Sequence, residues 1–289
     1  MDIISRIYCK DLSLRAYTVT SRAVVQQIVT SHNTTPNATM ALGRTINAAA
    51  LLGATLKPMS NQNILLKFSG SGPIREIHVQ ADAHGNIRGY VGNPHVDITE
   101  NFNTISFSKT IGAGLLTVIK DTGIKEPYTS ITPLLYGEVA LDLAYYLTTS
   151  EQVPSAVILG LNLNDNGDIA SSGGILIQTF PDTPVKTIEK IEANINSMTT
   201  PLGTLLEKGT DIYSVVSELF DNNAMEVLST TPLKYACSCN REILLQIFRG
   251  IQKEELLDMI EKDDGAEATC TFCLKKYRFT GLELQSLLK

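Results

Sequence analysis

The chain has 289 residues, 43% of them apolar, and a net charge of −6. That composition excludes a disordered chain, and the length points to two domains or to one domain plus a small module. No segment is basic: residues 1–180 hold 12 Lys+Arg and 13 Asp+Glu, 181–232 hold 3 and 8, and 233–289 hold 9 and 9, so the electrostatic footprint of a nucleic-acid binder is missing.

No apolar run approaches the roughly 20 residues of a membrane-spanning helix. The opening Met1-Asp2-Ile3-Ile4-Ser5-Arg6 lacks the basic and then apolar regions of a secretory leader. The expectation is a cytosolic protein with no membrane or nucleic-acid partner. In that compartment thiols stay reduced, and clustered cysteines are metal ligands or redox centres rather than staples.

In chain order, residues 11–19 alternate and read as a strand. A helix follows near 21–32, with Val24, Val25, Ile28 and Val29 on one face. A second is bracketed by Pro36 and Pro58, and its Ala48, Leu51 and Leu52 face reads as buried. Strands are expected at Ile64–Phe68, Ile74–Gln80, Ile87–Val91 and Leu115–Lys120, with a hairpin turn at His84-Gly85-Asn86. A helix runs from about Tyr136-Gly137-Glu138 through Leu147. Strands at Pro154–Leu163 and Gly174–Phe180 flank the turn Asp165-Asn166-Gly167-Asp168. Residues 1–180 therefore read as an α+β domain with an antiparallel sheet.

The pattern then changes. Thr183-Pro184, Thr200-Pro201 and Gly209-Thr210-Asp211 each open a short acidic helix, the first carrying Ile188, Ile191 and Ile195. Helices this short depend on packing, and like charges repel, so 181–232 reads as a metastable helical linker. In 233–289, Asn240 suits a helix N-cap. Ile243, Leu244, Ile247, Phe248 and Ile251 follow on one face, and Leu256, Leu257 and Ile260 continue the apolar pattern. Asp263-Asp264-Gly265 ends the helical part, a hairpin spans 268–280, and Thr280-Gly281-Leu282-Glu283 has the capping-box pattern. Some fifty residues offer a small core, and at that size a metal is a common staple.

The chemistry lies in the cysteines. Four of the five fall into two clips, Cys237-Ser238-Cys239 and Cys270-Thr271-Phe272-Cys273. Two such clips can present four sulfurs tetrahedrally to one zinc ion. Metal holds the sulfurs as thiolates, which oxidants convert to sulfenic acids and then, with a neighbouring thiol, to disulfides. In sequence the nearest thiol is the clip partner, and a bridge closing so short a loop is a poor staple. A permanent structural zinc ribbon serving as an interaction or regulatory module, a thiol oxidoreductase working through Cys270 and Cys273, and a redox switch all remain open on these residues alone. Cys9, in an early strand, reads as a small buried hydrophobe.

Nothing else gathers into a site. His32, His78, His84 and His95 lack metal-ligand spacing. Gly112-Ala113-Gly114 lacks the third glycine and the acidic residue of a dinucleotide fingerprint. Glu138 and Asp142 could pair as carboxylates, although Glu138 near a helix start is more simply a dipole partner. With no catalytic constellation, the chain reads as a non-enzyme.

Through Cys237-Ser238-Cys239-Asn240-Arg241-Glu242 and the second clip, the chain resembles the thirty-three-kilodalton heat shock protein family (33 kDa chaperonins), bacterial redox-regulated holdase chaperones. Tyr90-Val91-Gly92-Asn93-Pro94, Gly112-Ala113-Gly114-Leu115, Tyr136-Gly137-Glu138-Val139-Ala140, Ser150-Glu151-Gln152-Val153-Pro154-Ser155-Ala156 and Gly173-Gly174-Ile175-Leu176-Ile177-Gln178 carry the likeness across nearly the whole length. The resemblance implies one zinc per chain on Cys237, Cys239, Cys270 and Cys273 in the reduced, inactive form. It further implies that oxidation, helped by heat, forms the disulfides Cys237–Cys239 and Cys270–Cys273, releases zinc and unfolds the linker. Homodimers then hold unfolding client proteins without ATP. The three segments become a client-binding and dimerisation domain (1–180), the linker (181–232) and a zinc-binding switch (233–289). The resemblance assigns no role to Cys9.

Overall fold

The structure is a computed structural model that describes residues 1–288 apart from 59, 97, 99–105 and 125. It divides into two compact units, Met1–Tyr235 and Ala236–Lys289.

In the first unit the elements run β1 (Ile3–Cys9), β2 (Leu14–Thr20), α1 (Arg22–Ser31), α2 (Pro36–Thr55), β3 (Asn63–Gly70), β4 (Glu76–Asp82), β5 (Asn86–Val91), α3 (Phe107–Ile111), β6 (Gly114–Asp121), β7 (Tyr128–Pro133) and α4 (Val139–Thr149). They continue with β8 (Ser155–Leu163), β9 (Ile169–Thr179), α5 (Val185–Asn196), α6 (Leu202–Glu207), α7 (Ile212–Leu219), β10 (Glu226–Pro232) and β11 (Lys234–Tyr235). One sheet has the order β10-β1-β2-β9-β8 and a second β11-β5-β4-β3-β6-β7. All pairings are antiparallel as expected except the two-residue β11–β5 ladder, which is parallel.

Helix α2 lies between the sheets, touching β1, β2, β8 and β9 of one and β3, β4 and β5 of the other. Its sequence explains the position. Pro36 stands in the first turn, where its missing N–H costs nothing, and 17 of its 20 residues are buried, so it has no wet face. One polar residue facing inward is fully used: Asn47 Nδ2 donates to the Gly160 and Gly173 carbonyls at 3.3 and 3.1 Å. At the far end Arg6 reaches from β1 to cap the helix, donating to the Ala54 and Leu56 carbonyls at 2.7 and 2.9 Å.

The other face of the five-stranded sheet carries Ile7, Cys9, Leu14, Ala16, Ile175 and Ile177, and α5, α6 and α7 cover it. Ile191, Leu202, Ile212, Val215, Val216, Leu219 and Phe220 supply the covering side chains. Polar ties hold the same layer: Ser171 Oγ to the Gly203 carbonyl at 2.7 Å, Thr183 Oγ1 to the Ser13 carbonyl at 2.6 Å, and Ser5 Oγ to Tyr213 Oη at 2.6 Å. The approach of α6 is close enough that a Cβ on Gly160 would fall 2.4 Å from the Gly203 nitrogen. Of the residues read as a linker, α5 to α7 are thus an outer layer on the five-stranded sheet and β10 is an edge strand of that sheet, and Cys9, fully buried, lies in the apolar cluster that these helices form with the sheet.

Several boundaries moved. The first expected strand begins at Leu14, because Ser13, with φ of 51°, closes a tight turn after β1. Strand β9 starts five residues earlier than its apolar run, and the small residues Ser171, Ser172 and Gly173 continue the ladder. Gly85, with φ of 81°, makes the expected turn between β4 and β5.

Candidate metal centre

The second unit starts with the loop bearing Cys237 and Cys239. Helices α8 (Arg241–Phe248) and α9 (Lys253–Asp263) follow, then the hairpin β12 (Gly265–Thr269) and β13 (Lys276–Thr280), and α10 (Gly281–Gln285). Its core is small: Phe248, Leu256, Tyr277, Phe279 and Leu284 are buried, with partly buried neighbours around them. Ile243 and Ile247, expected on the inward face of α8, are 45% and 60% exposed; one turn-width of the apolar stripe finds nothing within the unit to cover it.

Each clip is held by local backbone chemistry. Asn240 caps α8, its Oδ1 accepting from the Ile243 N–H at 2.8 Å, which fixes where the chain leaves the first clip. The next residue, Arg241, donates to the Arg278 carbonyl at 2.7 Å and to Glu283 at 2.5 Å, and lies over the Phe279 ring. Arg241, with the capping box of Thr280 and Glu283, holds the pKa of the Glu283 carboxyl at about 2. The second clip forms the hairpin tip. Cys270 N–H donates to the Lys275 carbonyl at 3.0 Å and Leu274 N–H to the Cys270 carbonyl at 2.8 Å. Leu274 turns there with φ of 58°, a left-handed conformation that is unusual for a bulky residue.

The two clips converge. Cys237 Sγ lies 3.7 Å from Cys270 Sγ, and Cys239 Sγ lies 3.3 Å from Cys273 Sγ. All four sulfurs lie within 4.8 Å of one another, and none is in a disulfide. Sulfurs around one ion in tetrahedral Zn–S geometry stand about 3.8 Å apart, so the four fit a single thiolate-bound metal. Burial raises the Cys270 thiol above its usual range and pushes Cys273 up to about 12, with the adjoining thiols adding to the latter. Without a metal these two sulfurs are protonated at neutral pH. Metal binding must therefore displace protons, and affinity falls as pH falls.

Among the described residues no histidine or carboxylate joins a metal-competent group. His78 stacks on Tyr90 and meets Glu76 at 3.0 Å. Asp142 is fully buried and takes the N–H groups of Leu135, Tyr136 and Glu138 at 2.9 to 3.2 Å, while Glu138 pairs with Arg44 at 3.2 Å. Those two carboxylates organise the start of α4 and are not an acid–base pair. Gly112 has φ of 72° in the turn leading to β6, not a phosphate cradle. One neighbour of the sulfurs has no signal in the sequence. Tyr277 is buried in β13, its hydroxyl 3.3 Å from Cys239 Sγ. In the alternating Lys276–Thr280 strand it reads as one more core residue.

The fold and the gathered thiols define an α+β protein with a C-terminal four-cysteine module able to hold a metal ion. The family profile described as Hsp33 protein matches residues 2–280. The 33 kDa chaperonin of Staphylococcus carnosus (strain TM300) is 38% identical over 290 residues, covering 100% of this chain and 98% of that protein. That of Aquifex aeolicus (strain VF5) is 39% identical over 270 residues, covering 92% and 83%. A crystal structure of the 33 kDa chaperonin (heat shock protein 33 homolog) of Thermotoga maritima superposes with a TM-score of 0.89 at 32% identity, over 99% of this chain and 97% of that one. The chain belongs to the Hsp33 family, a family of chaperones and not of enzymes. No described helix is long and apolar enough to cross a membrane.

Proposed function

We propose that the chain is a redox-gated holdase of the cytoplasm. In the reduced form Cys237, Cys239, Cys270 and Cys273 would hold one zinc ion, which supplies folding energy and keeps the sulfurs as thiolates. Oxidation turns the thiolates into the disulfides Cys237–Cys239 and Cys270–Cys273, the pairing implied by the family resemblance, and leaves the site without metal ligands. The observation that carries this proposal is the convergence of four sulfurs within 4.8 Å in a unit whose apolar core has five buried side chains. Such a unit depends on the link its sulfurs make.

The chain supports a path from switch to activity. Cys237 follows Tyr235 by two residues, and strands β10 and β11, ending at Tyr235, lead directly out of the helices α5 to α7. Those helices bury seven apolar side chains across residues 181–232, whereas α2 alone buries 17 residues of 20. The whole segment 181–232, with 3 Lys+Arg against 8 Asp+Glu, also carries most of the chain's excess of negative charge. We assign 233–289 as the switch, 181–232 as the metastable linker, and 1–180 as the client-binding and dimerisation domain. When the linker lets go, the sheet face of Ile7, Leu14, Ala16, Ile175 and Ile177 becomes open to apolar segments of unfolding proteins. The active form is a homodimer that needs no ATP and has no nucleic-acid or membrane partner.

Light scattering of a thermally unfolding client tests this. The reduced, zinc-loaded chain should leave aggregation unchanged. Peroxide at elevated temperature should make it suppress aggregation without nucleotide, and a dithiol should reverse the effect. Equal activity in both states, or none in either, would contradict the switch.

A further inference from the structure

Tyr277 stands where it can act on one sulfur of the four. Its ring belongs to the module core and is 8% exposed. Its hydroxyl lies 3.3 Å from Cys239 Sγ and 3.1 Å from the Cys239 carbonyl oxygen. A metal-held sulfur is a thiolate and carries no proton, so in that pair the hydroxyl is the only donor. Sulfur and carbonyl oxygen belong to the same residue, so a single O–H placed between them fixes the Cys239 side chain against its own backbone.

We propose that Tyr277 is a positioning residue that guards Cys239 and thereby sets the oxidant threshold of the switch. The proposal rests on the redox-gated reading above. In the reaction with peroxide a thiolate sulfur attacks one peroxide oxygen and the O–O bond breaks. The sulfur becomes a sulfenic acid, and the departing oxygen leaves as water after taking a proton from solvent. A second thiolate then attacks the sulfenic sulfur, an S–S bond forms, and the hydroxide released takes another proton and leaves as water. Two thiolates have given the two electrons that reduce one peroxide. The first step needs electron density on sulfur. A hydroxyl donating to Cys239 draws on that density and occupies one direction of approach. Cys239 is therefore slower to oxidise than it would be without the hydroxyl.

The test uses the full reduced, zinc-loaded chain and its Tyr277→Phe variant, which keeps the ring and removes one oxygen. Hydrogen peroxide is added, sulfenic acids are trapped with dimedone and located by mass spectrometry, and zinc release is followed with a chromogenic chelator. Tyr277→Phe should react about three- to tenfold faster, with the added sulfenic acid concentrated at Cys239. A variant that merely loosened the fold would gain at all four sulfurs together. An unchanged rate, or a uniform rise at the four, would overturn the proposal. A chain with 3-fluorotyrosine at position 277, a stronger donor of nearly the same shape, keeps the proposal falsifiable should Tyr277→Phe fold poorly. It should react more slowly than the native chain at pH 7, and an equal or faster rate would overturn the proposal. If the native chain itself keeps its zinc under peroxide, the redox gate fails. If it releases zinc and the variants match it, only the role of Tyr277 fails.

Discussion

Stripping the metal from the reduced chain with a chelator is expected to unfold residues 236–289 while the sheets and α2 stay intact. The five buried side chains of the module's apolar core are few for a free-standing domain, and at this size a metal commonly supplies the missing stability. Structural zinc contributes on the order of 10–16 kcal/mol in comparable small modules at neutral pH, more than the whole stability of many domains. Hydrogen exchange should show loss of protection throughout α8, α9 and the β12–β13 hairpin, with the buried amides of α2 unchanged. Cys237→Ser should act in the same direction under fully reducing conditions, through weaker metal binding. A metal-free module as protected as the loaded one would mean that its core, not its sulfurs, holds it together.

Phe220→Ala is expected to activate the chain without oxidation. Phe220 is fully buried in the cluster between α7 and the sheet, and truncating a buried Phe costs about 3–5 kcal/mol. The loss falls on the outer layer, since the cluster around α2 lies on the opposite face of the sheet and does not include this residue. Helices α5 to α7 should then detach at a lower temperature, and the reduced, zinc-loaded variant should suppress client aggregation. Ile243→Ala, at a position 45% exposed on α8, is the control and should leave the reduced chain inactive. A Phe220→Ala variant that is clearly destabilised yet silent until oxidised would show that detachment of the outer layer is not what produces activity.

The cysteine cluster was legible because ligand spacing is a local pattern: two clips of paired thiols mark a set that could hold a metal, and the structure brings those four sulfurs together. The ends of α2 were legible for a similar reason, marked by Pro36 and Pro58, as was the capping box at Thr280. Strand β7 was not. It alternates, but its buried positions are Ser130 and Thr132, whereas Tyr128 and Ile131 are 60% and 59% exposed, so the expected polarity is inverted. Strand β10 also escaped, because as an edge strand it buries none of its residues fully and shows no period. Tyr277 was invisible for another reason. Its role depends on a contact across 38 residues, and nothing in the alternation of β13 separates a tyrosine that fills the core from one that also meets a sulfur. The packing of 181–232 was hidden in the same way, since the sheet face that receives those helices comes from β1, β2 and β9.

Cys9 gives the most direct measurement. It is fully buried in the cluster beneath α5 to α7, and once the four module thiols are in disulfides it is the one thiol left of five. In the reduced, zinc-loaded chain it should resist alkylation. Under peroxide at elevated temperature it should become alkylated at the rate at which anti-aggregation activity appears. Full activity with Cys9 still protected would show that oxidation does not uncover this sheet face, and would contradict the proposed link between switch and client binding.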